Sequence, residues 1–88
     1  MSFSTAFSMI KSLRSPRQIQ LQKLLTEARA KAGLTQVQLA EKLHRPQSFV
    51  AKYEGGERRI DVVEFCDIAS ALDVDPAVLF KDFLDKNR

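Results

Sequence analysis

Among 88 residues there is one cysteine, one histidine and no tryptophan. A single cysteine cannot close a disulfide within the chain. Cys66 and His44 together fall short of the three or four side-chain ligands a zinc site needs, so no metal is expected. Glycine and proline occur three times each, too few for a loop-rich or low-complexity chain. No apolar run approaches the ~20 residues of a membrane span, and no continuous apolar segment marks a secretory signal. No nucleophile–base set, paired-carboxylate cleft or phosphate-cradling loop is present, so neither catalysis nor a cofactor is expected.

What is abundant favours helix: leucine, alanine, lysine, glutamate and glutamine dominate a chain that is 44% hydrophobic and 28% charged. The net charge of +3 is modest, but it is unevenly spread. Residues 1–26 carry four bases and no acid, residues 27–59 seven bases and four acids, and residues 60–88 three bases and seven acids. Such polarity turns a basic face toward a polyanion and an acidic face away from it. Residues 1–15 read as a basic N-terminal arm that either packs on a partner or has no fixed structure, and residues 16–88 as one domain.

Within that domain the punctuation places five helices, an all-α fold. Ser15-Pro16 opens the first, with Leu21, Leu24, Leu25, Ala28 and Ala32 on one face, and Gly33 closes it. Thr35 caps a short second helix carrying Leu39, Ala40 and Leu43. Pro46 begins a third that turns Phe49, Val50 and Tyr53 inward and stops at Gly55-Gly56. Asp61 and Glu64 have the spacing of a capping box, with Ile60 and Phe65 placed to staple the entry to the fourth helix. Phe65, Ile68, Ala69 and Leu72 face inward there, and Cys66 beside them is expected to be half-buried. Asp75-Pro76 starts a fifth helix with Leu79, Phe80, Phe83 and Leu84 expected inside; the excess of apolar residues on it also suits a dimer interface.

The tight link between the second and third helices is the geometry of a helix-turn-helix, whose second helix enters the DNA major groove. Small Ala40 permits close crossing, while Gln47, Ser48, Ala51 and Lys52 face outward from a recognition helix of about residues 46–54. Their chemistry suits a groove: glutamine pairs with adenine, serine with several bases, and lysine with guanine or phosphate. His44 is read as a turn residue.

The stretches LTQVQLAEKL (34–43), RPQSFVAKYEGGER (45–58) and IASALDV (68–74) resemble the phage repressor/Cro-type, or XRE, family of helix-turn-helix transcriptional regulators. The likeness covers roughly residues 19–84 and implies a five-helix, lambda-repressor-like DNA-binding domain. It implies that Gln36 bonds a phosphate and braces the third helix, that Pro46, Gln47, Ser48 and Lys52 face bases, and that Arg58 and Arg59 contact the DNA backbone. It implies a structural salt bridge between Arg29 and Glu54. The chain departs from the pattern where His44 replaces a turn glycine, and where Arg45 and Pro46 replace a β-branched residue and a small hydroxyl residue. Arg45 then gains a phosphate contact, and Pro46 offers a base only apolar contact.

The expectation is a cytoplasmic, nucleoid-associated regulator, a repressor, binding a palindromic double-stranded DNA operator as a homodimer, with no membrane role. The alternative is a protein-interaction module, or the DNA-binding antitoxin of a toxin–antitoxin pair.

Overall fold

The computed structural model describes residues 15–86, and among them five helices and no strands. They are α1 (Pro16–Lys31), α2 (Gln36–Leu43), α3 (Gln47–Glu54), α4 (Val62–Ala71) and α5 (Pro76–Lys86). The arm expected over residues 1–15 lies, apart from Ser15, outside the described residues.

Each start has a local cause. Ser15 Oγ accepts the Gln18 N–H at 3.1 Å, with Pro16 inside the first turn. Thr35 Oγ1 accepts from Gln38 N while Gln38 Oε1 accepts from Thr35 N, a reciprocal box. Asp61 and Glu64 repeat that arrangement at α4, at 2.7 and 2.9 Å. Asp75 Oδ1 accepts from Ala77 N at 2.8 Å ahead of α5. Only α3 starts without a side-chain cap. Pro46 is its N-cap, extended at ψ 152°, so the helix begins one residue later than expected.

Four of the helices end alike. Gly33, His44, Gly56 and Asp73 all have positive φ, at 74°, 54°, 82° and 57°. The N–H of the following residue then returns to a helical carbonyl: Leu34 to Arg29, Arg45 to Ala40, Glu57 to Lys52 and Val74 to Ala69, at 2.9–3.2 Å. These are Schellman closures, and they satisfy carbonyls that the helix ends would otherwise leave open. Two of the four use residues other than glycine, each in a conformation that costs an L-residue roughly 1–2 kcal/mol.

The core gathers Leu24 and Leu25 of α1, Leu39 and Ala40 of α2, Phe49, Val50 and Tyr53 of α3, Ile68 and Ala69 of α4, Leu72 that caps it, and Leu79 of α5. Leu39, Val50 and Ile68 are wholly excluded from water, each stabilising the fold by about 1.5–3 kcal/mol. Helix α2 packs against α3 and α4, α1 against α3 and α5, and α4 against α5. Ala40 is 2% exposed, where its small side chain lets α2 and α3 approach.

The periphery corrects several expectations. On α5 only Leu79 is fully buried; Phe83 is partly covered, while Phe80 and Leu84 are 49% and 38% exposed. Among the described residues the last helix packs on α1 and α4, and that one covered face does not bury four large side chains. Cys66 is exposed, one residue off the buried stripe of α4, and Ala32 is exposed at the end of α1.

Candidate nucleic-acid interface

Helices α2 and α3 are joined by His44, Arg45 and Pro46 alone. With Phe49, Val50 and Tyr53 buried, helical geometry puts the remaining positions of α3 outside: Gln47, Ser48 and Lys52 are exposed, and Ala51 is half-buried among them. The expected base-facing set therefore shares one solvent face, with Pro46 exposed at its start.

One polar chain holds that face from behind. Arg29 Nε and Nη2 donate to the two carboxylate oxygens of Glu54 at 2.7 and 3.0 Å, and Arg29 Nη1 donates to the Leu34 carbonyl at 2.8 Å. The pair is largely out of water, with side chains 17% and 6% exposed. The Glu54 hydrogen bonds raise the Arg29 guanidinium above its ordinary pKa, so the guanidinium stays charged. Glu54 Oε1 also accepts from Gln36 Nε2 at 3.0 Å. A carboxylate can only accept, which settles the amide orientation of Gln36. Its oxygen is thereby turned to α3, where it accepts from Gln47 Nε2 at 3.0 Å. Gln47 keeps its own amide oxygen and one N–H for a ligand.

A second cluster closes the other side of α3. Glu64 Oε1 accepts from Asp61 N and Arg58 Nη1, and Glu64 Oε2 from Arg58 Nη2 and Arg45 Nη2, at 2.8–3.0 Å. The Arg58 hydrogen bonds, then that from the Asp61 backbone, hold the Glu64 carboxyl down to about 2. Both guanidiniums also lie over the Phe49 ring, Arg45 at 4.3 Å and Arg58 at 4.9 Å from its centroid. A cation so placed is attracted by the electron-rich face of the ring. Arg58 Nη1 donates as well to the Arg59 carbonyl at 2.8 Å, and the Arg59 side chain is exposed.

The sequence alone presents Arg45 and Arg58 as separate phosphate contacts and Glu64 only as a cap. That Glu64 joins them depends on a contact between the turn and α4. The one signal is a charge at the turn position where the resembled pattern has a β-branched residue, which calls for a carboxylate nearby. No group of three or more His, Cys, Asp or Glu side chains that could hold a metal occurs among the described residues. None of their helices is long and apolar enough to cross a membrane.

These two short helices, crossed over a tight turn with a polar outer face, make this a helix-turn-helix protein, and the helix-turn-helix domain family matches residues 20–79. The chain is 42% identical to an XRE-family like protein from Pseudomonas syringae pv. tomato str. DC3000, over 91% of this chain and 98% of that one, with a TM-score of 0.79. It is 32% identical to the restriction-modification controller protein C.AhdI from Aeromonas hydrophila, over 70% of this chain and 94% of that one, with a TM-score of 0.65. The fold is shared with the controller protein C.Esp1396I, solved as a tetramer with its natural 35 base-pair operator: 21% identity, coverage of 81% and 93%, TM-score 0.74. No match was found among curated proteins. The chain belongs to the XRE family of helix-turn-helix regulators.

Proposed function

We propose that this protein binds double-stranded DNA sequence-specifically and represses transcription from a palindromic operator. The observation that carries the reading is the braced outer face of α3. Gln47 is oriented by Gln36, which is held by Glu54, which is paired to Arg29. A side chain fixed in this way, with an amide edge still open, is suited to pair with one base edge in the major groove. Ser48 and Lys52 extend the reading face, Pro46 offers apolar contact at its start, and Gln36 and Arg59 supply contacts to the DNA backbone. Arg45 and Arg58 take that backbone role too, from the cluster around Glu64. The C.Esp1396I structure with its operator shows DNA recognition by a protein of this fold.

The protein acts as a homodimer in this reading. Phe80, 49% exposed, packs with Phe65 and Phe83 beside the 79%-exposed Val62, and Leu84 on the same helix is 38% exposed; together they offer an apolar surface that a second subunit would cover. Two recognition helices then read half-sites about one helical turn apart, or a multiple of that. The site of action is the cytoplasm, on the nucleoid.

Selection of bound sites from random duplex DNA tests the reading directly. The expected product is an inverted repeat, bound with an affinity that falls steeply with salt as counterions are released. Binding without sequence preference at every salt concentration would end it.

A further inference from the structure

We propose that Glu64 is a positioning residue which holds Arg45 and Arg58 together as a preassembled two-pronged clamp for DNA phosphates at the flank of α3. The proposal rests on the DNA-binding reading above.

Arg45 comes from the turn before α3 and Arg58 from the loop after it, yet both guanidiniums meet over one ring, Phe49 of α3. The carboxylate that joins them is Glu64, in the first turn of α4. Its two oxygens accept four hydrogen bonds: Asp61 N, two from Arg58 and one from Arg45. Glu64 is thus saturated, and it is buried.

The arginines are neither saturated nor buried. Their side chains are 43% and 38% exposed. Arg45 commits one of its five N–H groups to a partner among the described residues. The two guanidiniums share the Glu64 carboxylate, with Asp61 acting on Arg58 and Asp67 lining the same hollow as Arg45 and Glu64, so what they offer outward is their open N–H edges rather than a surplus of charge. Those exposed edges, with their counter-charge already placed, are the groups the clamp would present to a phosphate.

The physical gain is pre-organisation. Free arginines on a turn and a loop sample many rotamers, and ordering them on a phosphate works against binding. Glu64 and Phe49 order them beforehand. A phosphate backbone meeting the edge of α3 then finds a planar donor edge, matched in geometry to its oxygens. Because Glu64 caps α4 with the same oxygen that holds Arg58, the clamp is also tied to the backbone of a core helix.

The test uses the full chain and a duplex selected from random DNA, with Glu64→Gln as the probe. Glutamine keeps an oxygen for the Asp61 N–H, so the cap survives, but it loses the charge. Circular dichroism and thermal unfolding verify the fold at the binding temperature. The expected result is binding weakened on the order of tenfold across all sequences. The dependence on log salt becomes shallower by about 0.9 for each phosphate that the variant no longer neutralises. In an Arg45→Ala/Arg58→Ala background the same substitution should have no further effect.

Three outcomes overturn the proposal. Tighter binding by Glu64→Gln would mean that the carboxylate competes with phosphate. Weaker binding with an unchanged salt slope would mean a merely structural role. An undiminished effect in the double-alanine background would mean that Glu64 does not act through the arginines. Failure of the DNA-binding reading is seen separately, in the unaltered protein: if it selects no duplex, that reading falls and the clamp with it.

Discussion

The first residues of the two helices of the helix-turn-helix are hydrogen-bonded to each other, Gln47 Nε2 donating to Gln36 Oε1 at 3.0 Å. Gln36 cannot turn away without releasing Glu54, because its other amide atom is already bonded there. The rotamer of Gln47 on α3 is therefore set from α2 and, through Glu54, from α1.

Substitution of either glutamine should relax the same base. Gln47→Ala is expected to lose about 1–3 kcal/mol of discrimination at one base pair. Gln36→Ala should lose part of that discrimination at the same position, and the double variant less than the two losses added. Competition binding against duplexes altered one base pair at a time reads all three. Unchanged preference in Gln36→Ala would remove its orienting role.

The Arg29–Glu54 pair should matter for stability more than any exposed ion pair. Removing one partner strands the other, and for a buried pair that costs about 3–5 kcal/mol. Glu54→Ala should cost more than Arg29→Ala, because it also releases Gln36 and leaves a guanidinium facing the Leu34 carbonyl alone. Denaturant titration of both variants checks the order. A loss under about 1 kcal/mol in each would class the pair with ordinary surface bridges.

Helix positions are legible in the sequence because they rest on signals within a few residues of each other. Ser15, Thr35 and Asp61 mark starts by side chains that bond the backbone three residues on. Likewise the inward set of α3 follows from helical period alone. What stays hidden needs contacts between distant segments. Arg45 and Glu64 are 19 positions apart, and nothing in either local window joins them. Phe80 and Leu84 follow the same period as Leu79, so pattern alone cannot reveal that α5 is covered on one face. Cys66 departs from its half-buried expectation for a related reason, since it stands one step from a buried stripe.

Tyr53 offers a substitution that should help. Its ring packs edge-on against Phe49, with centroids 5.3 Å apart, but its buried hydroxyl has no hydrogen-bond partner among the described residues. Burial, above all, pushes the phenol pKa well above its ordinary value. An unpaired buried hydroxyl costs about 1–3 kcal/mol. Tyr53→Phe should therefore unfold at the same or a higher temperature. A clear fall would mean that the hydroxyl has found a partner.

His44 carries a backbone cost that glycine would relieve. At φ 54° and ψ 41° it occupies the left-handed region, which disfavours a side chain and most of all a β-branched one. His44→Val should be less stable than His44→Gly by about 1–2 kcal/mol, the handedness penalty. His44→Gly itself should stay close to the parent, since glycine's entropy in the unfolded chain offsets much of the relief. Equal stability of the valine and glycine variants would show that this turn has shifted.

The Glu64 cluster gives folding a defined acid limb. Its carboxyl stands at about 2 in the folded protein against an ordinary 4.5, chiefly through hydrogen bonds from Arg58 and the Asp61 backbone. A group whose folded pKa is depressed binds fewer protons folded than unfolded, so it contributes stability that is complete above pH 4.5. That contribution declines as pH falls below 4.5 and is gone once pH has passed about 2. Glutamine at position 64 mimics the protonated state at every pH. The melting temperature of the parent should therefore exceed that of Glu64→Gln by a constant margin above about pH 5, narrowing toward zero near pH 2. Taking the difference between the two proteins cancels the other carboxylates, which titrate in both. The arginine side chains are 43% and 38% exposed, so added salt should shrink the margin by screening. A margin independent of pH would mean that shape, and not charge, ties Arg45 and Arg58 to Glu64.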